Sequence, residues 1–474
     1  SPVTPDFVNP EAPWPHLIRL ADDTAEAGKL LVERLAIYPA WTRDAGRWLD
    51  KGLQTPVLRA VDTDGFARTE AWAPGDPVDP PAEDVELATR RLPPGRGVSP
   101  EVQEILARAT DGVGLGEAEI VRLFAARGAE FSAVCAAADA LRRRMNGDVV
   151  TYVVNRNINY TNVCYFRCQF CAFSKGKMSE NLRGKPYDLD LPEIQRRVRE
   201  AWERGATEVC MQGGIHPDYT GQTYIDVLHA VKTAVPDIHV HAFTPLEVWQ
   251  GAATLGVPVP QFLGMLKEAG LGTLPGTAAE ILDDEVRAVI CPDKINTDQW
   301  LEVMEAAHGV GLKSTTTIMY GHVETPTHWA RHLIRLRTLQ ARTGGFTEFV
   351  PLPFVHMEAP IYLKGRARKG PTFREAVLMH AAARLALHPH ITNIQTSWVK
   401  MGPKGVAACL AAGANDVGGT LMNETITRAA GAGHGQEMPP EAMEAMIRAV
   451  GREPRQRTTP YGDPPTAQVA ASYG

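Results

Sequence analysis

From residue 99 the chain alternates between two hydrophobic periods. "SPEVQEILARAT", "GEAEIVRLFAARG" and "EFSAVCAAADALRRRM" space apolar residues three and four apart, which predicts helices across 99–146, the first opened by a Ser–Pro start. At 149 a β-branched run, "VVTYVVNRNINYT", begins a different pattern. Short apolar runs then alternate with amphipathic stretches: "TEVCMQGG", "IHVHAFT", "LGTLPG", "LKSTTTIMYG", "FTEFVPLPFV", "ITNIQTSWV" and "NDVGGTL" read as strands, each separated from the next by a helical segment. Strand–helix repetition over about 270 residues predicts an α/β fold with parallel strands. Polar residues follow nearly every predicted strand, as they do where one rim of a TIM-like (β/α)₈ barrel carries a site, so the barrel is preferred to an open doubly wound sheet.

The flanks differ in character. Residues 1–73 contain one predicted helix, about 22–35, and no self-sufficient core. Residues 74–98, "PGDPVDPPAEDVELATRRLPPGRGV", read as a Pro-rich linker. Residues 99–148 form a helical N-terminal extension, 149–422 the barrel, and 423–474 a C-terminal addition of helices ending in an irregular arm.

Composition narrows the function classes. The 474 residues are 44% apolar and 22% charged, with a net charge of −6 and a pI near 6.2, which does not suggest a nucleic-acid partner. Arg142, Arg143 and Arg144 read as a solvated helix face. No run approaches the ~18 apolar residues of a membrane helix, and no leader is visible. The chain begins "SPVTPDFVNP" without an initiator Met, so it reads as a processed chain or a piece of a longer one. Seven cysteines, an odd number, form no disulfide framework, and a cytoplasmic, reducing location is expected. Cys135, Cys210, Cys291 and Cys409 read as small buried hydrophobes.

The other three cysteines lie in "CYFRCQFCAF", where Cys164, Cys168 and Cys171 follow the first barrel strand with Cx₃Cx₂C spacing. Three thiolates on one loop can converge on one metal centre. Structural zinc needs a fourth ligand, and no second CxxC or His pair follows within about 30 residues. Iron–sulfur clusters usually take four cysteines. Three would leave one iron of a 4Fe–4S cluster open to a small-molecule chelator.

This motif, with Phe170 before its last cysteine, resembles the signature of radical S-adenosylmethionine (radical SAM) enzymes. The resemblance implies a 4Fe–4S cluster on Cys164, Cys168 and Cys171, with S-adenosylmethionine chelating the open iron and reductive cleavage releasing a 5′-deoxyadenosyl radical. It also implies cofactor contacts from Phe170, from Gln212, Gly213 and Gly214 in "MQGGIHPD", and from Glu280 in "PGTAAEI". A tight turn at the glycines and a helix cap at Glu280 are the structural alternatives. Tyr320, His322 and Glu324 in "MYGHVET" are candidates for substrate orientation or proton transfer. Gln395 and Ser397 are candidates for substrate contact, and only one of His239 and His241 is expected to face the barrel interior.

"NRNINYTNVCYFRCQFCAF", "MQGGIHPD", "PGTAAEIL" and "MYGHVE" together resemble the subgroup of deazaflavin-forming and menaquinone-pathway (futalosine-route) enzymes. "FVPLPFVHMEAPIYLKGRARKGPTFREAVLMHAAARLALHPHI" and "QRTTPYG" are similar to the tyrosine-using branch of the FO synthase family, and "SPVTPDFVNPEAPWPHL" to the end of that family's other module. The resemblance implies a transferase joining L-tyrosine, as a 4-hydroxybenzyl fragment, to 5-amino-6-(D-ribitylamino)uracil. The adenosyl radical takes a hydrogen from tyrosine, most simply from its amine, and the Cα–Cβ bond breaks. The other module, which closes the third ring, and a one-electron reductant are the implied partners. The rival readings are a futalosine-route enzyme and a non-catalytic cluster or zinc protein.

Overall fold

A computed structural model describes residues 17–90, 97–174 and 185–474. The opening motif, residues 1–16 in particular, and part of the 74–98 stretch lie outside the described residues.

Among the described residues nine strands carry the architecture: β1 (Val149–Val153), β2 (Asn155–Asn159), β3 (Glu208–Gln212), β4 (His239–Ala242), β5 (Thr273–Leu274), β6 (Lys313–Tyr320), β7 (Phe346–Pro353), β8 (Asp416–Gly419) and β9 (Glu453–Gln456). The first predicted strand is thus two, broken at Val154. β2 to β7 form a six-stranded parallel sheet in chain order, and β1 lies between β8 and β9 in a second parallel sheet. Isolated parallel bridges, Phe349 with Ile394 and Gln395 with Asp416, link β7 to β8. Ile394 and Gln395 therefore hold the seventh barrel position almost without a strand, and the parallel order runs around the ring.

Helices cover the outside. Phe373–Leu387, after β7, is buried along its whole length, as expected of a helix whose apolar residues go all round. Its two arginines are satisfied by backbone carbonyls: Arg374 donates to Phe124 and Ala126, Arg384 to Gly413 and Thr392. The extension helices Glu117–Phe124 and Ala129–Asn146 form an outer layer over it. Arg142 in the second of them is not solvated. It is fully buried, donates to Asp139 at 2.8 Å and to the Gly147 carbonyl, and so ties the helix end to the start of the barrel.

The flanks follow the barrel rather than a core of their own. The first described helix is Leu17–Glu26 rather than about 22–35: it lies N-terminal to the predicted span and ends just before Gly28, which takes a left-handed φ of 70°. Trp72 packs edge-on against Phe373, Thr63 donates twice to the buried Glu375 carboxylate, and Arg68 donates to the Gly370 and Pro371 carbonyls. Within the stretch read as a linker, Ala82–Thr89 is a helix packed on Ala129–Asn146. The C-terminal arm is not irregular. Its "EPRQ" is β9, whose Pro454 is tolerated because the strand lies at a sheet edge, and Thr466–Ala471 is a helix. No helix among the described residues is long and apolar enough to cross a membrane.

Candidate active site

The cysteine loop leaves the C-terminal end of β2 and is stapled from three sides. Tyr165 N–H donates to the Ile215 carbonyl after β3 (3.1 Å). Arg167 N–H donates to Asp293 (2.8 Å) and Gln169 N–H to the Ile290 carbonyl (2.8 Å), both beyond β5. Ile361 N–H, after β7, donates to the Gln169 carbonyl at 2.7 Å. Backbone bonds to three separate elements hold the loop rigid before any metal arrives. Cys164, Cys168 and Cys171 are half-buried and line one cavity of about 260 Å³ with Phe170, Gln212, Gly213, Gly214 and Glu280.

Burial pushes the Cys168 and Cys171 thiols up, and Lys294 pulls both part of the way back. Such thiols ionise when a cation binds them. Among the described residues, the set of three metal-ligating side chains whose atoms lie mutually within 4.8 Å is Asp283, Glu285 and His328.

The glycines serve the loop itself. A Cβ on Gly214 would lie 2.2 Å from the Val163 carbonyl oxygen and 2.9 Å from Cys164 Cβ, and one on Gly213 would lie 2.3 Å from the Tyr160 ring. Their first role is to let β3 pack against the cysteine loop, while both also line the cavity. Glu280 does not cap a helix. It occupies a left-handed φ of 46° and accepts from Lys294 Nζ at 2.7 Å. Burial lowers the Lys294 pKa, but Glu280 and Cys168 together carry it above its usual value. The Lys294 ammonium also lies 5.6 Å from the centre of the Phe170 ring. "CPDKINTD" carries no motif that would have singled Lys294 out.

A second cavity, also about 260 Å³, descends the barrel axis. It shares Gln212, Thr277, Leu352, Lys400, Ile426 and Thr427 with the first, so the two meet at the strand ends. Polar side chains reach this second cavity from several strands: Asn157 on β2, Thr315 and Thr317 on β6, and Gln395 and Ser397 at the seventh position. Asn157 Oδ1 and Thr277 Oγ1 are buried without a hydrogen-bond partner among the described residues. Cys210 belongs to this wall rather than to the core. The bottom is closed by the C-terminal segment. Arg457 donates to both oxygens of Asp416 (2.6 and 3.1 Å) and to Glu348 (3.2 Å), and Thr459 donates to Glu208 (2.5 Å).

Tyr320, His322 and Glu324 line neither cavity and are wholly buried. Glu324 accepts from Gly321, His322, Val323 and Trp329 N–H groups and faces His322 Nδ1 at 2.8 Å, while Tyr320 OH lies 3.5 Å from the Ala376 carbonyl. Burial would raise the Glu324 pKa, but His322 and these donors hold it well below the carboxylate range. The trio knits the turn after β6 to the helix Pro326–Thr343, and it is Met319 that reaches the cavity. Of His239 and His241 only the second lines the lumen, as expected, but not because they face opposite ways: residues two apart on a strand share a side, and both rings contact Thr273 Oγ1 (2.8 and 2.7 Å). His241 lines the lumen, and burial lowers its pKa.

Residues 158–336 match the radical SAM superfamily model, and 343–469 match the CofH/MqnC C-terminal region. The chain is 45% identical over its whole length to the FO synthase of Streptomyces coelicolor, of which it covers 58%; it spans somewhat over half the length of the FO synthases it matches. It is 49% identical over 68% of its length to the 5-amino-6-(D-ribitylamino)uracil--L-tyrosine 4-hydroxyphenyl transferase of Methanocaldococcus jannaschii, covering 90% of that enzyme. Among solved structures, methylornithine synthase (PylB) aligns with a TM-score of 0.58 at 17% identity, covering 74% of this chain and 97% of PylB. The [FeFe]-hydrogenase maturase HydG aligns at 0.60 and 16%, covering 80% of each chain. These two show the fold.

Proposed function

Because the chain belongs to the radical SAM superfamily, in the family of the M. jannaschii transferase, we propose that it joins L-tyrosine to 5-amino-6-(D-ribitylamino)uracil in the formation of FO. The observation that carries this reading is one continuous space: a three-thiol loop opens on a cavity that runs into a polar barrel lumen closed at its far end. A two-substrate radical reaction needs this shape, with the reactive carbon made at one end and the partner held at the other.

Cys164, Cys168 and Cys171 would hold a 4Fe–4S cluster. Bound there, the cluster and S-adenosylmethionine supply one electron and a carbon radical that takes a hydrogen atom from the substrate. The chain's own residues position and shield. Glu280, fixed by Lys294, would offer a carboxylate oxygen to the ribose or methionine end of the cofactor, and Phe170 and Gln212 wall the same space. Met319, Leu352, Pro353 and Phe354 keep water from the reacting carbons. Asn157, Gln395, Thr315 and Thr317 offer uncharged donors and acceptors suited to a uracil ring and its ribityl hydroxyls. The product then passes to a second module that closes the third ring, consistent with the greater length of the FO synthase relatives. Seven free thiols suit a reducing cytoplasm.

The test is anaerobic reconstitution to about four irons, reduction with dithionite, and assay with S-adenosylmethionine, tyrosine and the ribitylaminouracil. The expected outcome is 5′-deoxyadenosine together with a coupled product carrying the mass of a 4-hydroxybenzyl adduct. A fully loaded protein that cleaves no cofactor with tyrosine present, or that accepts a futalosine-type substrate instead, overturns the reading.

A further inference from the structure

We propose that Lys400 is the receptor for the carboxylate of the amino-acid substrate, holding it where the cysteine-side cavity meets the barrel lumen. The inference rests on the proposed tyrosine-using reaction and adds a binding site to it.

Lys400 lines both cavities, whereas the three cysteines line only the upper one. Its backbone is fixed. Its N–H donates to the Ser397 carbonyl (3.2 Å), and its carbonyl accepts from Gly75 N–H (2.7 Å). Trp398 beside it donates to the Gly419 carbonyl (2.9 Å), and Gly402, at φ 66°, kinks the helix immediately after it.

The side chain is different. Among the described residues its ammonium makes no hydrogen bond and no ion pair, although it is largely enclosed. The charges around it are committed elsewhere. Glu424, on the segment after β8, is the carboxylate that acts on it, but its oxygens accept from Thr427 N–H (2.8 Å) and Arg428 N–H (3.2 Å). On the cysteine side, Lys294 and Glu280 neutralise each other. Down the lumen, Glu208 is held by Asn155 and Thr459, His241 by Thr273, and Glu348 by Arg457 and Tyr461.

Lys400 thus faces the cavity junction with Glu424 as its one nearby carboxylate and no direct ion pair, which leaves the ammonium free to take up an arriving carboxylate. Burial pulls this lysine down to about 8, with Glu424 opposing, so it is still mainly charged at neutral pH. The ribitylaminouracil brings no carboxylate. The cofactor's carboxylate belongs with the thiol loop, and tyrosine's must lie next to an amine that reaches toward the same loop. The junction of the two cavities satisfies that requirement.

Calorimetry on the reconstituted, unreduced protein loaded with S-adenosylmethionine tests this, using tyrosine, 3-(4-hydroxyphenyl)propionate (no amine) and tyramine (no carboxylate). Lys400→Met is expected to weaken tyrosine and the propionate on the order of ten- to a hundredfold, the loss of a charge-assisted bond. Tyramine and S-adenosylmethionine should bind within about twofold of wild type, and Lys400→Arg should recover part of the loss. The wild-type affinity for the propionate should fall as pH rises from 7 to 9.5, with Lys400→Met flat. Unfolding temperature is read in parallel and should be unchanged or raised, because an unpaired buried charge is removed. Equal propionate binding by wild type and Lys400→Met, or a loss of S-adenosylmethionine binding instead, overturns the inference alone. Wild-type protein that binds no tyrosine overturns the proposed function and the inference together.

Discussion

The floor and the mouth of the barrel are both lined with buried polar groups, yet they treat them differently. At the floor every charge is matched: Arg457 grips Asp416 with two bonds and Glu348 with a third, Tyr461 donates to Glu348, and Asn155 and Thr459 satisfy Glu208. Toward the mouth, Thr277 Oγ1 and, in the lumen below it, Asn157 Oδ1 have no hydrogen-bond partner among the described residues, the Lys400 ammonium makes no direct ion pair, and Lys294 with Glu280 is the exception. The floor recovers the cost of desolvation within the fold and gains stability, whereas the mouth recovers it only when ligands bind. This is the division of labour expected of a barrel whose C-terminal strand ends carry the chemistry.

The sharpest way to break the comparison is Cys168→Ala. It should abolish 5′-deoxyadenosine formation while moving the unfolding temperature by less than about 2 °C, since the loop is held by backbone bonds. Unfolding of the variant would mean that the mouth is structural after all. Arg457→Met reverses the pattern. Leaving Asp416 buried and unpaired should cost about 3–5 kcal/mol in urea unfolding, while folded protein still reconstitutes to full iron content. Gly214→Ala lies between the two: the added methyl would press on the Val163 carbonyl and Cys164, so a cost of about 1–3 kcal/mol should be accompanied by reduced iron binding in the purified, folded variant.

A smaller effect separates the ends by pH. Burial raises the Glu348 carboxyl from 4.5 to about 7, with Arg457 opposing. A carboxyl that binds its proton more tightly when folded contributes fully below about 4.5, and the contribution is lost as pH rises through about 7. Wild-type urea midpoints should therefore fall between pH 5 and 8, with a shallower fall in Glu348→Gln; parallel curves would refute the assignment. The smallest effect belongs to Tyr320→Phe. Loss of a weak bond to the Ala376 carbonyl should cost no more than about 1 kcal/mol and leave turnover within about twofold, whereas a hundredfold loss of turnover would restore a proton-transfer role at that strand end.

The repeating strand–helix order was legible because each barrel unit is a local pattern, and the barrel prediction survives even where Ile394 and Gln395 barely make a strand. The cysteine loop was legible for the same reason: three thiolates within eight residues must lie close together in any fold. The polar residues at the strand ends were harder. "MYGHVET" looked reactive because it is polar and follows a strand, but the Glu324 carboxylate faces Trp329 and Arg368, and the Tyr320 ring packs edge-on against Trp329. Lys294 and Lys400 stand in unremarkable sequence and reach the cavity because Glu280, Phe170 and Gly75 converge on them from distant positions. The C-terminal arm looked irregular because β9 exists only through its pairing with β1.

What the sequence by itself determined is therefore whatever short-range spacing can encode: strand and helix periods, the order of the units, and a metal-binding loop. The tertiary structure decided which polar groups are paired and which are left facing empty space. That choice depends on barrel closure and on contacts between residues more than a hundred positions apart, and no local pattern of residues can state it.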